Sequence, residues 1–288
     1  MVKKKRDIIS QLPPQLIKDV KARRCILFVG SGLSSMAGYP SWAELIKILV
    51  DTAKASPLAR TGGIEQFKDD YFTLAEFARS ALSETEYAAL LRQHLGRPVK
   101  PTEAHRLIAL TDYRGLITTN YDRLLETVIT QERGWTPNVI LPDSVSALGV
   151  ALFNPELFIF KVHGDIGSSE SIVLSKRDYD RLIVRSPQVR SFLQAIFLNY
   201  TVLFVGYGLR DPDFQLIANE LNLIFDRYIP TQFALVPNAA EFAIEDHLKR
   251  MNVRVIPYDP ADGHKEVVEV LDFLREQAPY ELPASLAM

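Results

Sequence analysis

An unbroken apolar run, Cys25-Ile26-Leu27-Phe28-Val29, stops abruptly at Gly30-Ser31-Gly32. A short run with no polar alternation reads as a strand buried on both faces, and the glycines after it read as a tight turn into a helix. Such a turn is a phosphate cradle in outline, because glycines let the backbone approach a ligand and a helix start presents N–H groups to an anion. Many strand-to-helix turns also need two glycines with no ligand nearby, and that reading stays open. The commonest dinucleotide fingerprint is not met. G-x-G-x-x-G would need glycine at position 35, which is Ser35, and no second strand ends in an acidic residue at ribose-binding distance.

Downstream, further apolar runs alternate with helical spacing: 115–118, 157–162, 202–205, 233–236 and 253–256, with a short strand expected at 171–174. Strands that are nearly all apolar, each followed by a helix, describe an α/β fold with a doubly wound parallel sheet, Rossmann-like in its layering. Between Trp42 and Gly96 almost everything has helical spacing, so a helical subdomain is expected as an insertion at about 43–100, placed to cover a ligand over the glycine loop. Residues 1–24 read as a basic helical arm, 25–277 as the sheet domain, 134–155 as an irregular surface excursion and 278–288 as a loose tail. Asp211 with Pro212 reads as a helix cap with proline at the first helical position.

Cys25 is the only cysteine in 288 residues, and it lies in the first apolar run, which excludes an internal disulfide or a four-cysteine zinc site. The formal net charge of −2 gives no global field toward nucleic acid or anionic membrane. The N-terminus lacks an apolar core ahead of a cleavage site, and no apolar stretch is long enough to cross a bilayer, so a cytoplasmic protein is expected.

Singly, the polar groups have plain explanations. Asn120 or Asp122 caps the following helix, His163 is a core imidazole satisfied by backbone or by Asp165, and His105 sits on a helix without chemistry. Their positions suggest more. The glycine loop, Asn120, His163, Gly206-Tyr207-Gly208 and Asn238 each follow a strand within a residue or two. In open α/β sheets ligands bind at that carboxyl edge. A histidine and an asparagine meeting beside a phosphate cradle suit a reaction in which one accepts a proton and the other orients a hydroxyl or water.

At these residues the chain resembles the sirtuin superfamily, and more closely the sirtuin-like NAD-hydrolase domains of bacterial antiphage defence systems. The resemblance rests on FVGSGLSSMAGYPSW at 28–42, LITTNYD at 116–122, KVHGDI at 161–166 with SIVLSKRDY at 171–179, and LFVGYGLRDPDF at 203–214. It implies that Gly30, Ser31, Gly32 and Ser34 hold the NAD pyrophosphate. It further implies that Asn120 faces the nicotinamide ribose, Asp122 the carboxamide, and that His163 is the general base. Gly206 and Tyr207 then contact the adenosine side, and Asn238 corresponds to a later ribose-binding asparagine. Two departures matter. No cysteine lies between His163 and Gly206, so the zinc module of deacylase sirtuins is absent, and Ser41-Trp42-Ala43 replaces their Asp-Phe-Arg.

The resemblance implies an NAD glycohydrolase with NAD as substrate, no zinc, and a role as the NAD-depleting effector of antiphage defence. The alternatives are an NAD-dependent deacylase and a non-catalytic NAD or ADP-ribose-binding assembly module. It also implies a homo-oligomer, with a HerA-type ATPase or an Argonaute-type protein as partner. No membrane and no strong nucleic-acid binding are expected.

Overall fold

In the computed structural model, which describes residues 7–209, 212–226 and 228–282, seven strands form one parallel sheet. The basic residues 3–6 and Asp211 lie outside the described residues. In chain order the first half contains α1 (Pro14–Lys21), β1 (Cys25–Val29), α2 (Ser31–Met36), α3 (Trp42–Lys54), α4 (Tyr71–Ala81), α5 (Glu84–Leu95), α6 (Glu103–Ala109), β2 (Gly115–Thr118) and α7 (Leu124–Arg133). Then follow β3 (Asn138–Ile140), α8 (Val145–Phe153), β4 (Phe158–Lys161), α9 (Lys176–Arg185), α10 (Pro187–Asn199) and β5 (Thr201–Val205). The chain continues through α11 (Pro212–Ile224), β6 (Gln232–Pro237), α12 (Glu241–Met251), β7 (Val253–Tyr258) and α13 (Ala261–Gln277).

The apolar strands have no polar face because both faces are covered. Along β1, Cys25, Leu27 and Val29 join a core with residues of α1, α6, α7 and α13, while Ile26 and Phe28 join a second core with α8 to α12. All five residues are buried. Cys25 is fully buried, and burial pushes its thiol pKa up, so it behaves as a small hydrophobe. On the second face, Phe204 packs against Phe28 at 5.0 Å and Phe214 at 4.7 Å between ring centroids. Each such buried side chain contributes about 1.5–3 kcal/mol.

Strand order is β3-β4-β2-β1-β5-β6-β7. From β1 the sheet grows one way through β2 and the other way through β5, so the strand order reverses beside β1. Loops that leave neighbouring strands there diverge and open a crevice at the carboxyl edge.

Helices α3 to α5 sit over that edge around a third core of their own, which also takes in Tyr121, Leu124 and Leu174. Their starts are set by sequence. Ser41 and Glu44 form a reciprocal capping box on α3, as do Ser83 and Glu86 on α5, and Asp70 caps α4 through the N–H of Thr73 at 3.1 Å. Arg79 on α4 donates to both carboxylate oxygens of Asp178 on α9, at 3.1 and 3.2 Å, and so ties the helical layer to the sheet domain.

Three expectations are corrected. Residues 134–155 are not irregular, since they hold β3 and α8. The apolar triplet 172–174 forms no ladder strand; it crosses the carboxyl edge, where Val173 N–H donates to His163 O at 2.9 Å and Val173 O accepts the Tyr121 hydroxyl at 2.8 Å. The tail expected to be loose after Ala278 is held at its first residues. Tyr280 N–H donates to Leu110 O at 2.8 Å, and the Arg133 guanidinium lies 3.9 Å from the Tyr280 ring.

Candidate active site

Glycine at 30, 32 and 206 is required by how closely two loops approach. A Cβ on Gly30 would stand 2.4 Å from Gly206 O and 2.6 Å from Tyr207 Cα, and one on Gly32 would stand 2.9 Å from Gly206 O. Gly206 itself has φ +64. The N–H groups of Gly30 and Gly32 donate to Val205 O and Gly206 O, each at 2.9 Å. Those two glycines therefore lock the β1 loop onto the β5 loop, and it is Ser31 and Ser34 that line the cavity.

From the other side of β1, the loop after β2 reaches the same place. Asn120 Nδ2 donates to Gly30 O at 3.1 Å and to Ser34 Oγ at 2.8 Å. Ser34 Oγ in turn donates to Asp122 Oδ2 at 2.6 Å, and Asp122 Oδ1 accepts the Leu124 N–H at 3.0 Å. Asp122, one residue before the N-cap Arg123, thus satisfies the first N–H of α7, while Asn120 takes no part there; its amide is turned toward the glycine loop. Asn120 Oδ1 and Trp42 Nε1 are buried and have no hydrogen-bond partner, a rare condition for polar atoms and one that a ligand's polar groups would relieve.

His163, two residues beyond β4, is 5% exposed. It is not satisfied by Asp165. Its ring meets Tyr179 on α9, whose hydroxyl lies 3.1 Å from Nε2. Tyr179 contacts Phe72 of α4 at 4.4 Å between centroids, and Phe72 contacts Trp42 at 4.9 Å. An aromatic wall therefore runs from the helical layer to the imidazole.

Asp165 instead binds Arg123 Nη2 at 2.7 Å and Lys161 Nζ at 2.7 Å. Burial works to raise the Asp165 pKa, but these two cations and their hydrogen bonds hold it below the usual carboxylate value. Glu126, 3.0 Å from the same Lys161, moves the other way, because its burial outweighs the lysine's charge.

These groups share one cavity of about 650 Å³, within the size range of small-molecule sites. Its lining includes Ser31, Ser34, Asn120, Asp122, His163, Tyr179, Gly206 and Tyr207, together with Trp42, Tyr71 and Phe72 from the helical layer. Tyr207 is 9% exposed and packs its ring on Phe28 at 4.6 Å. Asn238 is not brought in. It is exposed and in left-handed backbone (φ +47), and the lining at that strand is Val236 and Pro237. Among the described residues no group of three or more His, Cys, Asp or Glu side chains is disposed to hold a metal ion. No helix there is long and apolar enough to cross a membrane.

The SIR2-like domain family matches residues 114–256, a segment that carries Asn120, Asp122, His163, Gly206 and Tyr207. That segment of the chain is similar to SIR2-like domains. The chain as a whole is 24% identical over 283 residues to the NAD(+) hydrolase ThsA of Bacillus cereus (strain MSX-D12), covering 92% of this chain and 56% of that protein. It is 26% identical over 212 residues to the NAD(+) hydrolase ThsA of Cytobacillus dafuensis, with 73% and 40% covered. It is 27% identical over 201 residues to defense-associated sirtuin 2 of Bacillus subtilis, with 68% and 19% covered. The chain thus spans about half, or less, of the length of these relatives.

Sequence reasoning gave no role to three side chains of the site and its helical layer. Lys161 opens the KVHGDI stretch and Tyr179 closes SIVLSKRDY, yet neither was assigned a role, and Phe72 lies in the helical layer outside every motif. Lys161 left a further signal, a charged residue inside the apolar run Phe158-Ile159-Phe160-Lys161-Val162.

Proposed function

We propose that this chain is an NAD glycohydrolase, cleaving NAD+ to nicotinamide and ADP-ribose. The observation that carries the reading is that Asn120, on the loop after β2, and His163, on the loop after β4, line one cavity with the serines of the β1 loop. Relatives named NAD(+) hydrolase and defense-associated sirtuin support it.

The chemistry asks little of an acid. Nicotinamide is already a cationic pyridinium in NAD+ and departs neutral. What the site must supply is ribose positioning, stabilisation of an oxocarbenium-like transition state, and a base for water. Asn120 Oδ1, buried and unpartnered, accepts from a ribose hydroxyl or from that water. His163 takes the proton, and the Asp122 carboxylate lies on the same cavity, where it favours positive charge developing on the sugar. The aromatic face of Trp42 and Phe72 suits a flat ring. Ser31 and Ser34 suit the pyrophosphate.

We further propose that the chain acts as an NAD-depleting effector in antiphage defence. Control then comes from self-assembly or from a partner such as a HerA-type ATPase or an Argonaute-type protein. The test follows free nicotinamide from NAD with and without acetylated peptide, over a range of protein concentration. Release without peptide supports hydrolysis, release only with peptide supports a deacylase, and NAD binding without release supports an assembly module.

A further inference from the structure

Lys161 ends β4, and its side chain is completely buried. Its Nζ donates to the main-chain carbonyls of Tyr121 (3.3 Å) and Asp122, to Glu126 Oε1 (3.0 Å) and to Asp165 Oδ2 (2.7 Å). The two carbonyls belong to the residues directly after Asn120. The lysine itself stands two residues before His163, in register with Thr118 of β2. One nitrogen therefore joins the loop bearing Asn120 and Asp122 to the end of β4, from which the loop bearing His163 leaves.

We propose that Lys161 is a positioning residue, fixing the 120–122 loop against His163 so that both act on one ribose. The inference rests on the glycohydrolase reading. A purely structural ion pair is a poor account of it. A buried pair gains little over well-packed apolar groups, so a cation in an otherwise apolar strand contributes mainly through what its geometry specifies. Here the geometry is specified for the site. Two of its four acceptors are backbone atoms of the site loop, and Tyr121 O also accepts the Ile166 N–H at 2.9 Å, so the loop is gripped from both sides of His163.

The experiment compares Lys161→Met with the double variant K161M/E126M, which removes the stranded carboxylate and keeps an apolar volume, an exchange cores tolerate. Nicotinamide release is measured well below each variant's own melting temperature, with circular dichroism as the check on folding. The expected result is a fall in kcat of at least ten-fold with KM within three-fold of the parent, since misplacing a reacting group by about 1 Å costs on the order of 100-fold. A smaller fall in kcat in either folded variant, with only the melting temperature lowered, overturns the proposal. Turnover by the parent separates that outcome from failure of the glycohydrolase reading, in which the parent itself releases no nicotinamide.

Discussion

Ser34 donates its hydroxyl to Asp122 at 2.6 Å while accepting the amide of Asn120 at 2.8 Å, so one oxygen joins the loops after β1 and β2. Removing it leaves a buried carboxylate oxygen without its donor and an amide with only Gly30 O. Ser34→Ala is expected to lower stability by about 1–3 kcal/mol and to reduce nicotinamide release. Urea unfolding and the release assay check both; an unchanged midpoint with parental release would show that the hydroxyl is dispensable.

Gly30→Ala drives a methyl group into backbone atoms at 2.4 and 2.6 Å, where no side chain can give way. A loss of about 3 kcal/mol or more is expected, at the upper end for overpacking. Gly62→Ala, with nothing within 4 Å, is the control and is expected to stay near neutral. Equal unfolding midpoints for the two variants would contradict the close approach of the β1 and β5 loops.

Burial lowers the pKa of His105 from 6.5 to about 4, with nearby Asp122 opposing. The unfolded chain then takes up a proton below pH 6.5 that the folded chain refuses until about pH 4. Stability is therefore full above pH 6.5 and declines as pH falls through that window, by up to ~1.4 kcal/mol per pH unit. His105→Gln keeps a side chain able to accept the Thr102 N–H of the α6 capping box and removes the titration. Parent minus variant stability should be flat above pH 6.5 and fall toward pH 4; a difference constant with pH would refute the assignment.

Tyr280 carries the Arg133 guanidinium on its ring and accepts the Trp135 indole N–H at 3.0 Å. Tyr280→Ala is expected to cost about 1–3 kcal/mol in urea unfolding. No measurable loss would mean that the residues after Ala278 are as loose as their composition suggests.

That tail shows where the sequence stops being informative. Nothing in Pro279-Tyr280-Glu281 has a period, and its partners, Leu110 and Arg133, are far away in the chain. The sheet was legible for the opposite reason: runs such as Cys25–Val29 are apolar on both faces because helices cover both. The same test fails for α8, whose Ala147-Leu148-Gly149-Val150-Ala151-Leu152 is apolar all round and has no amphipathic period, and for β3, a three-residue edge strand with two exposed residues. It misleads at Ile172–Leu174, which is buried without a strand partner.

Of the site, Asp122 came from the resemblance, while the strand-end rule located Asn120, His163, Gly206 and Tyr207, because a parallel sheet puts every strand's carboxyl end on one edge. It also located Asn238, whose residue follows β6 as expected while its side chain lies out in solvent. Backbone position was readable there; rotamer and loop direction were not. Tyr179 meets His163 on a helix, α9, that is also held by Arg79 of α4 through Asp178, a contact between residues 99 apart in sequence.

Nicotinamide released from NAD, without acyl peptide and across a protein concentration series that spans assembly, tests the central claim most directly. The parent should turn over, and His163→Ala and Asn120→Ala should each fall by about 100-fold or more with unchanged circular dichroism. A folded His163→Ala protein that turns over at the parental rate would contradict the account.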